Sequence, residues 1–278
     1  DPVIARWNVV DKKSELYFSH SPYVYALNTP TNAVDPDGNL VIFINGNHFG
    51  EGATGYESWR KGTSSYNWRG SNDYWNSGGK SFDGAVMRQL GDNKSIYRDG
   101  AIGGWFGFAS DNPIGVNTAS GRDRDGFGQG KRDAATIIAN LARDKQGNII
   151  ESIKIITHSM GGAYGKGYVE ALKKYISSLP KELQAQIKIT LVADFDPFQA
   201  GSLDADPNIF TQQFSHIGKK GRKSSDRMGW LANEVQGGVD EYYENKTDSS
   251  HSITTFFNDI SKLKEGTYKW DGSKWVQQ

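Results

Sequence analysis

The sequence predicts an α/β fold, a mostly parallel sheet with flanking helices. Two apolar runs and one change of period carry that expectation. Leu40-Val41-Ile42-Phe43-Ile44 is a continuous apolar run, and Ser152-Ile153-Lys154-Ile155-Ile156 is short, β-branched and bounded upstream by Lys145-Gln146-Gly147-Asn148. Runs of this length closed off by turn residues read as buried strands. From Ala163 the period changes, and Tyr164, Tyr168, Ala171, Leu172, Tyr175 and Ile176 recur at three- and four-residue spacing. That is the stripe of an amphipathic helix. A second helix is expected over Gly130 to Arg143, from Ala134, Ala135, Ile137, Ile138, Leu141 and Ala142. Helix, strand, turn and helix in that order make one repeat of a doubly wound sheet.

The remaining elements follow in chain order. Over residues 1 to 40, SPYVYALNTPTNAVDPDGNL sets Pro22, Pro30 and Pro36 among alternating aromatics, a composition of short strands broken by tight turns. The first long apolar run is capped by Asn45-Gly46-Asn47-His48, so a central parallel strand delivers a glycine turn. Between His48 and Lys80 come Tyr56, Trp59, Tyr66, Trp68, Tyr74 and Trp75 without a regular period, and Trp105, Phe106 and Phe108 follow the strand end at Ile96 to Asp99. Long irregular insertions at the C-terminal edge of a parallel sheet commonly form lids and substrate walls. Amphipathic rings there suit an acyl chain, or else pack a small satellite core. Further strands are expected at Ile187 to Ala193, closing on Asp194-Phe195-Asp196-Pro197, and at Phe210 to Ile217. A polar loop around His251 opens a helix that carries Phe256, Phe257, Ile260 and Leu263.

Composition narrows the function. The 278 residues are 36% hydrophobic and 12% aromatic, enough for one sizeable core. Lys plus Arg equals Asp plus Glu at 32 each, so no bulk charge draws the chain to nucleic acid or to an anionic membrane. Cysteine is absent, which removes thiol catalysis, disulfides and cysteine-ligated zinc. No segment approaches the roughly 20 apolar residues of a transmembrane helix. Asp123 and Asp125 sit in no calcium-loop motif and read as solvated charges, so neither metal nor cofactor is expected.

The chemistry concentrates at Thr157-His158-Ser159-Met160-Gly161-Gly162, on the turn between a strand and a helix. A serine on such a turn is pushed into a strained conformation above the sheet, and the glycines let strand and helix pass closely. The stretch resembles the nucleophile elbow of lipase-type α/β-hydrolases, with threonine in place of the first glycine of the G-x-S-x-G pattern. A helix N-cap serine would need neither the glycine pair nor the histidine. The resemblance implies Ser159 as nucleophile and backbone N–H groups of Met160 and Asn47 as the oxyanion hole. It also implies a later acid and a still later histidine. Only His216 and His251 follow Ser159. His251 lies in a loop, where this fold delivers its base, whereas His216 falls inside an expected strand. His48, beside the first strand, reads as a loop or lining residue. For the acid, Asp226 holds the usual place after the strand ending near Ile217, with Asp196, placed as in pancreatic-type lipases, and Asp194 as alternatives.

Residues 1 to 40, ending at Asp35-Pro36-Asp37-Gly38, resemble the terminal segment of the bacterial RHS repeat-associated core. In that family a variable toxin domain follows immediately. The resemblance implies a core remnant over 1–40 and a lipase-like effector over 41–278. The effector would be exported by a contact-dependent secretion machine to act on phospholipid at a neighbouring cell's membrane. Its partners would be an acyl-ester substrate, the rest of the RHS shell and a dedicated immunity protein. The residues themselves support acyl-ester chemistry. An amidase or acyltransferase would use the same triad, and an inactive binding or shell module could keep the same scaffold.

Overall fold

A computed structural model describes residues 40–46, 74–77, 80–100, 119–218, 222–223, 234–245, 251–266, 268–270 and 275–277. The expected core remnant and most of the aromatic insertions, with Trp59, Trp68 and Trp105 to Phe108, lie outside them. In chain order the strands are β1 (Leu40–Asn45), β2 (Asn76–Ser77), β3 (Lys80–Ser81), β4 (Lys94–Asp99), β5 (Ile153–His158), β6 (Ile189–Phe195), β7 (Thr211–Gly218), β8 (Arg222–Lys223), β9 (Glu241–Asn245), β10 (Tyr268–Trp270) and β11 (Trp275–Gln277). The α-helices are α1 (Phe82–Leu90), α2 (Ala119–Ala139), α3 (Gly161–Ser177) and α4 (Lys181–Gln186), and Ile253–Lys262 forms a 3₁₀ helix.

One sheet organises the chain. Its six parallel strands run in the order β4-β1-β5-β6-β7-β9, and β8 pairs antiparallel with β7. Because successive side chains alternate between faces, β1 feeds two cores. Leu40, Ile42 and Ile44 pack with Ala134, Ile137 and Ile138 of α2 and with Tyr168 and Leu172 of α3. Val41 and Phe43 pack on the other face with Phe82 and Val86 of α1 and with Phe256 and Ile260 of the 3₁₀ helix. The chain leaves β1 for β4 on one side and returns to β5 on the other. A crevice therefore opens above β1 and β5 at the carboxyl ends of the strands, where open α/β sheets bind ligands. The α/β class expected from the sequence, a mostly parallel sheet of α/β-hydrolase type with flanking helices, is the observed one.

Two expectations need correction. The helix expected from Gly130 begins eleven residues earlier, at Ala119, and ends at Ala139. Gly121, Gly126, Gly128 and Gly130 hide its first half from a reading by propensity and apolar period. Packing requires two of them. α2 lies so close to α3 that a Cβ on Gly126 would stand 1.9 Å from the Tyr164 carbonyl oxygen, and one on Gly130 would stand 2.8 Å from that of Tyr168. Trp75, read from the sequence as lining an acyl chain or else packing a small satellite core, is fully buried in one of the two main cores, with Phe43 at 5.2 Å and Phe82 at 6.0 Å between ring centroids. It belongs to the core beneath the site. Among the described residues no helix is long and apolar enough to cross a membrane.

Candidate active site

Three residues other than glycine hold a positive φ among the described residues: Ser159 at 57°, Asp196 at 41° and Gln199 at 59°. Each such conformation costs about 1–3 kcal/mol and persists only where the surroundings impose it. Here the surroundings are two adjacent strand ends. Ser159 follows β5, its N–H donating to the Phe195 carbonyl at 2.9 Å, and its own carbonyl accepts from Phe198 N at 2.9 Å and Gly162 N at 3.1 Å. Asp196 follows β6 and is tied to β7 through the Phe214 carbonyl at 2.7 Å. The first residue of the turn after β1 must be glycine, since a Cβ on Gly46 would stand 2.5 Å from Ser159 Cβ.

His251 arrives from the loop before the 3₁₀ helix and joins the two. Ser159 Oγ lies 2.8 Å from His251 Nε2, and His251 Nδ1 lies 3.1 Å from Asp196 Oδ2. A neutral imidazole with its hydrogen on Nδ1 fits both contacts, donating to the carboxylate and accepting from the serine. Asp196 is fully buried and takes two more hydrogen bonds from His216, the backbone N–H at 2.8 Å and Nδ1 at 2.7 Å. Burial alone would raise its pKa, but the hydrogen bonds from His216 and His251 outweigh that and hold the carboxyl well below the usual range. His216 Nε2 meets Thr255 Oγ1 at 2.9 Å, so this second histidine braces the carboxylate.

The sequence candidates separate clearly. Ser159, His251 and Asp196 form one hydrogen-bonded chain. Asp194 is committed elsewhere, to Thr157 Oγ1 at 2.5 Å, Lys166 Nζ at 2.7 Å and Gln236 Nε2 at 2.8 Å. Asp226, Asn47 and His48 lie outside the described residues. Met160 caps the start of α3, so its amide is the first after the serine.

A second array had no sequence signal beyond the histidine of the elbow. Gly46 N donates to the Tyr74 hydroxyl at 3.0 Å, and that hydroxyl contacts His158 Nδ1. Burial keeps the phenol protonated, with its pKa pushed upward. Tyr74 can therefore donate to Nδ1, which leaves the hydrogen of a neutral His158 on Nε2. Burial first, and then the neighbouring His251, push the His158 pKa well down; Asp196 and the His251 carbonyl act against this. The two imidazoles lie 4.9 Å apart.

His158, Asp196 and His251 are also the one group among the described residues whose ligand atoms, all within 4.8 Å of one another, could hold a metal. An ion there would compete for atoms that the Ser159 and His216 contacts already use. Neither a family model nor a curated protein matches the sequence. Among solved structures, an acetylxylan esterase aligns over 81% of this chain and 96% of its own, at 11% identity and a TM-score of 0.34.

Proposed function

We propose that the chain is a serine-dependent carboxylic-ester hydrolase of the lipase type, acting on acyl esters such as membrane phospholipid. The observation that carries this reading is the contact of 2.8 Å between Ser159 Oγ and His251 Nε2, continued to Asp196 at 3.1 Å. In the first half-reaction Ser159 Oγ attacks the acyl carbon while His251 Nε2 takes its proton, and the same nitrogen then returns the proton to the departing alkoxide. In the second half a water attacks the acyl-enzyme by the same route, releasing the acid. Asp196 stays ionised throughout, holding the imidazole with its hydrogen on Nδ1 and stabilising the imidazolium that forms. By the resemblance of the elbow to lipases, the oxyanion donors are the N–H of Met160, at the start of α3, and that of Asn47.

The lipid preference is supported by the resemblance of the His158-Ser159-Met160-Gly161-Gly162 elbow to lipases. Delivery as the effector domain of an RHS protein, restrained by an immunity protein, is supported by the resemblance of residues 1 to 40. Mass spectrometry of a bacterial lipid extract incubated with wild type and with Ser159→Ala tests the substrate. Free fatty acid and lysolipid formed by the wild type alone are expected. Unchanged lipid in both samples contradicts the phospholipid assignment.

A further inference from the structure

Among the described residues the buried cations Arg98 and Lys154 have carboxylate partners, and Arg122 does not. Arg98, 2% exposed, donates to Asp133 Oδ2 at 2.6 Å and to the Tyr97 carbonyl at 2.7 Å. Lys154, fully buried, has Asp92 at 3.0 Å and Glu265 at 3.2 Å. Arg122 is as buried as Lys154, yet no ion pair reaches it among the described residues, and its Nε and Nη1 have no hydrogen-bond partner. Only Nη2 is used, donating to Gln199 Oε1 at 2.7 Å, while the guanidinium carbon lies 4.6 Å from the centroid of the Phe198 ring. Of the five N–H bonds of a guanidinium, the one on Nε and the two on Nη1 therefore lack an acceptor. With burial uncompensated by any carboxylate, the group's pKa is pushed down to about 10. A buried charge without a partner is among the costliest arrangements a fold can keep.

Its position gives the cost a reason. Arg122 stands in the first turn of α2, which runs parallel to α3: a Cβ at Gly126 would meet Tyr164 and one at Gly130 would meet Tyr168. The amino ends of both helices therefore lie at the sheet edge that carries Ser159. Phe198 and Gln199, which hold the guanidinium, follow Asp196 after Pro197, and Phe198 N bonds the Ser159 carbonyl at 2.9 Å. Gln199 is held at a positive φ to present its amide oxygen to Nη2. The guanidinium thus packs on the ring of Phe198, the residue whose N–H holds the Ser159 carbonyl, in low-dielectric surroundings where an ionic hydrogen bond is strong.

We infer that Arg122 is the anion-recognising residue of the site, taking through Nε and Nη1 the oxygens of a phosphate carried on the ester substrate. This rests on the reading of Ser159 as the nucleophile of an esterase. It deepens the phospholipid reading by naming the side chain of this chain that reads the phosphate near the scissile ester. A guanidinium satisfied by buried water is the competing account.

Three soluble substrates separate the accounts. Dihexanoyl-phosphatidylcholine and dihexanoylglycerol share their acyl esters and differ in the phosphate headgroup, while p-nitrophenyl butyrate reports the hydrolase alone. In the wild type, kcat/KM should favour the phosphate-bearing ester over dihexanoylglycerol by about tenfold or more. In Arg122→Met that ratio should fall by about tenfold to a hundredfold, chiefly through KM. Arg122→Lys, which keeps charge but loses the fork, should lie between. Inorganic phosphate should inhibit wild-type hydrolysis of p-nitrophenyl butyrate competitively, a readout that needs no variant. Inhibition by inorganic phosphate shows that the phosphate itself is read, and its absence from a protein that still discriminates the two hexanoyl esters assigns recognition to the esterified headgroup. A wild type that cleaves p-nitrophenyl butyrate but does not prefer the phosphate ester overturns the inference and leaves the hydrolase reading standing. So does a variant in which losses on both hexanoyl esters are equal, as buried water would give. A folded wild type that cleaves none of the three overturns the hydrolase reading itself.

Discussion

Ser159 and Asp196 are both held at positive φ, and His251 spans them. Removing either end of the proton path should be far more damaging than removing its support. Ser159→Ala and His251→Ala should each lower turnover by on the order of 10⁶, and Asp196→Asn by on the order of 10⁴, as steady-state kinetics on a soluble ester would show. Turnover within a few-fold of wild type in Asp196→Asn would remove the acid from Asp196. The pairing of Ser159 with His251 was legible because each sits in a local pattern, a strand-to-helix turn and a late polar loop. The aspartate that meets His251 was not, because three aspartates near strand ends look alike in sequence, and what sets Asp196 apart from Asp194 is which neighbours each meets across strands. His158 supplies a pH signature. Its folded-state pKa lies below the unfolded value of about 6.5, so on acidification the unfolded chain takes up a proton that the folded chain refuses. Stability should therefore fall as pH drops from about 6.5, and below about pH 4 Asp196, whose pKa is also depressed, adds a further loss. Melting temperatures from pH 7.5 to 5 should decline in the wild type and decline less in His158→Gln; identical slopes would contradict this.

The pair α2 and α3 carries the elbow, and it packs through glycines rather than through ridges of large side chains. Gly126→Ala would drive a methyl against the Tyr164 carbonyl at 1.9 Å and should destabilise by roughly 1–3 kcal/mol or more. Gly128, two residues on, meets only Arg132 Nη1 at 3.7 Å, and alanine there should stabilise by up to about 1 kcal/mol through helix propensity. Urea denaturation midpoints should move in opposite directions; a common direction would mean that the close crossing does not constrain the helix. The same glycines explain why the first half of α2 escaped the sequence reading. Glycine marks turns when only local propensity is considered, and its use here is a contact with a helix forty residues away. Strands were easier to read, since β1 and β5 are buried on both faces and their apolar runs need no partner to be recognised.

Across the whole molecule the sheet separates stability from chemistry along its length. β5 begins near Lys154, buried with Asp92 and Glu265, and ends at the serine, about 16 Å further on at roughly 3.3 Å per residue. Lys154→Met leaves buried carboxylate behind and should cost roughly 3–5 kcal/mol. At 20 °C its kcat/KM should remain within about twofold of wild type, because sites this far apart are independent. A proportionate loss of activity in a protein still folded by circular dichroism would show that the two ends are coupled. The central claim, that His251 activates Ser159 as a nucleophile, is tested most directly by a fluorophosphonate probe followed by peptide mass spectrometry. The wild type should carry one adduct, on the peptide containing Ser159, and folded His251→Ala should carry almost none over the same interval. A folded wild-type protein left unmodified, or labelled on any other residue, would contradict the account.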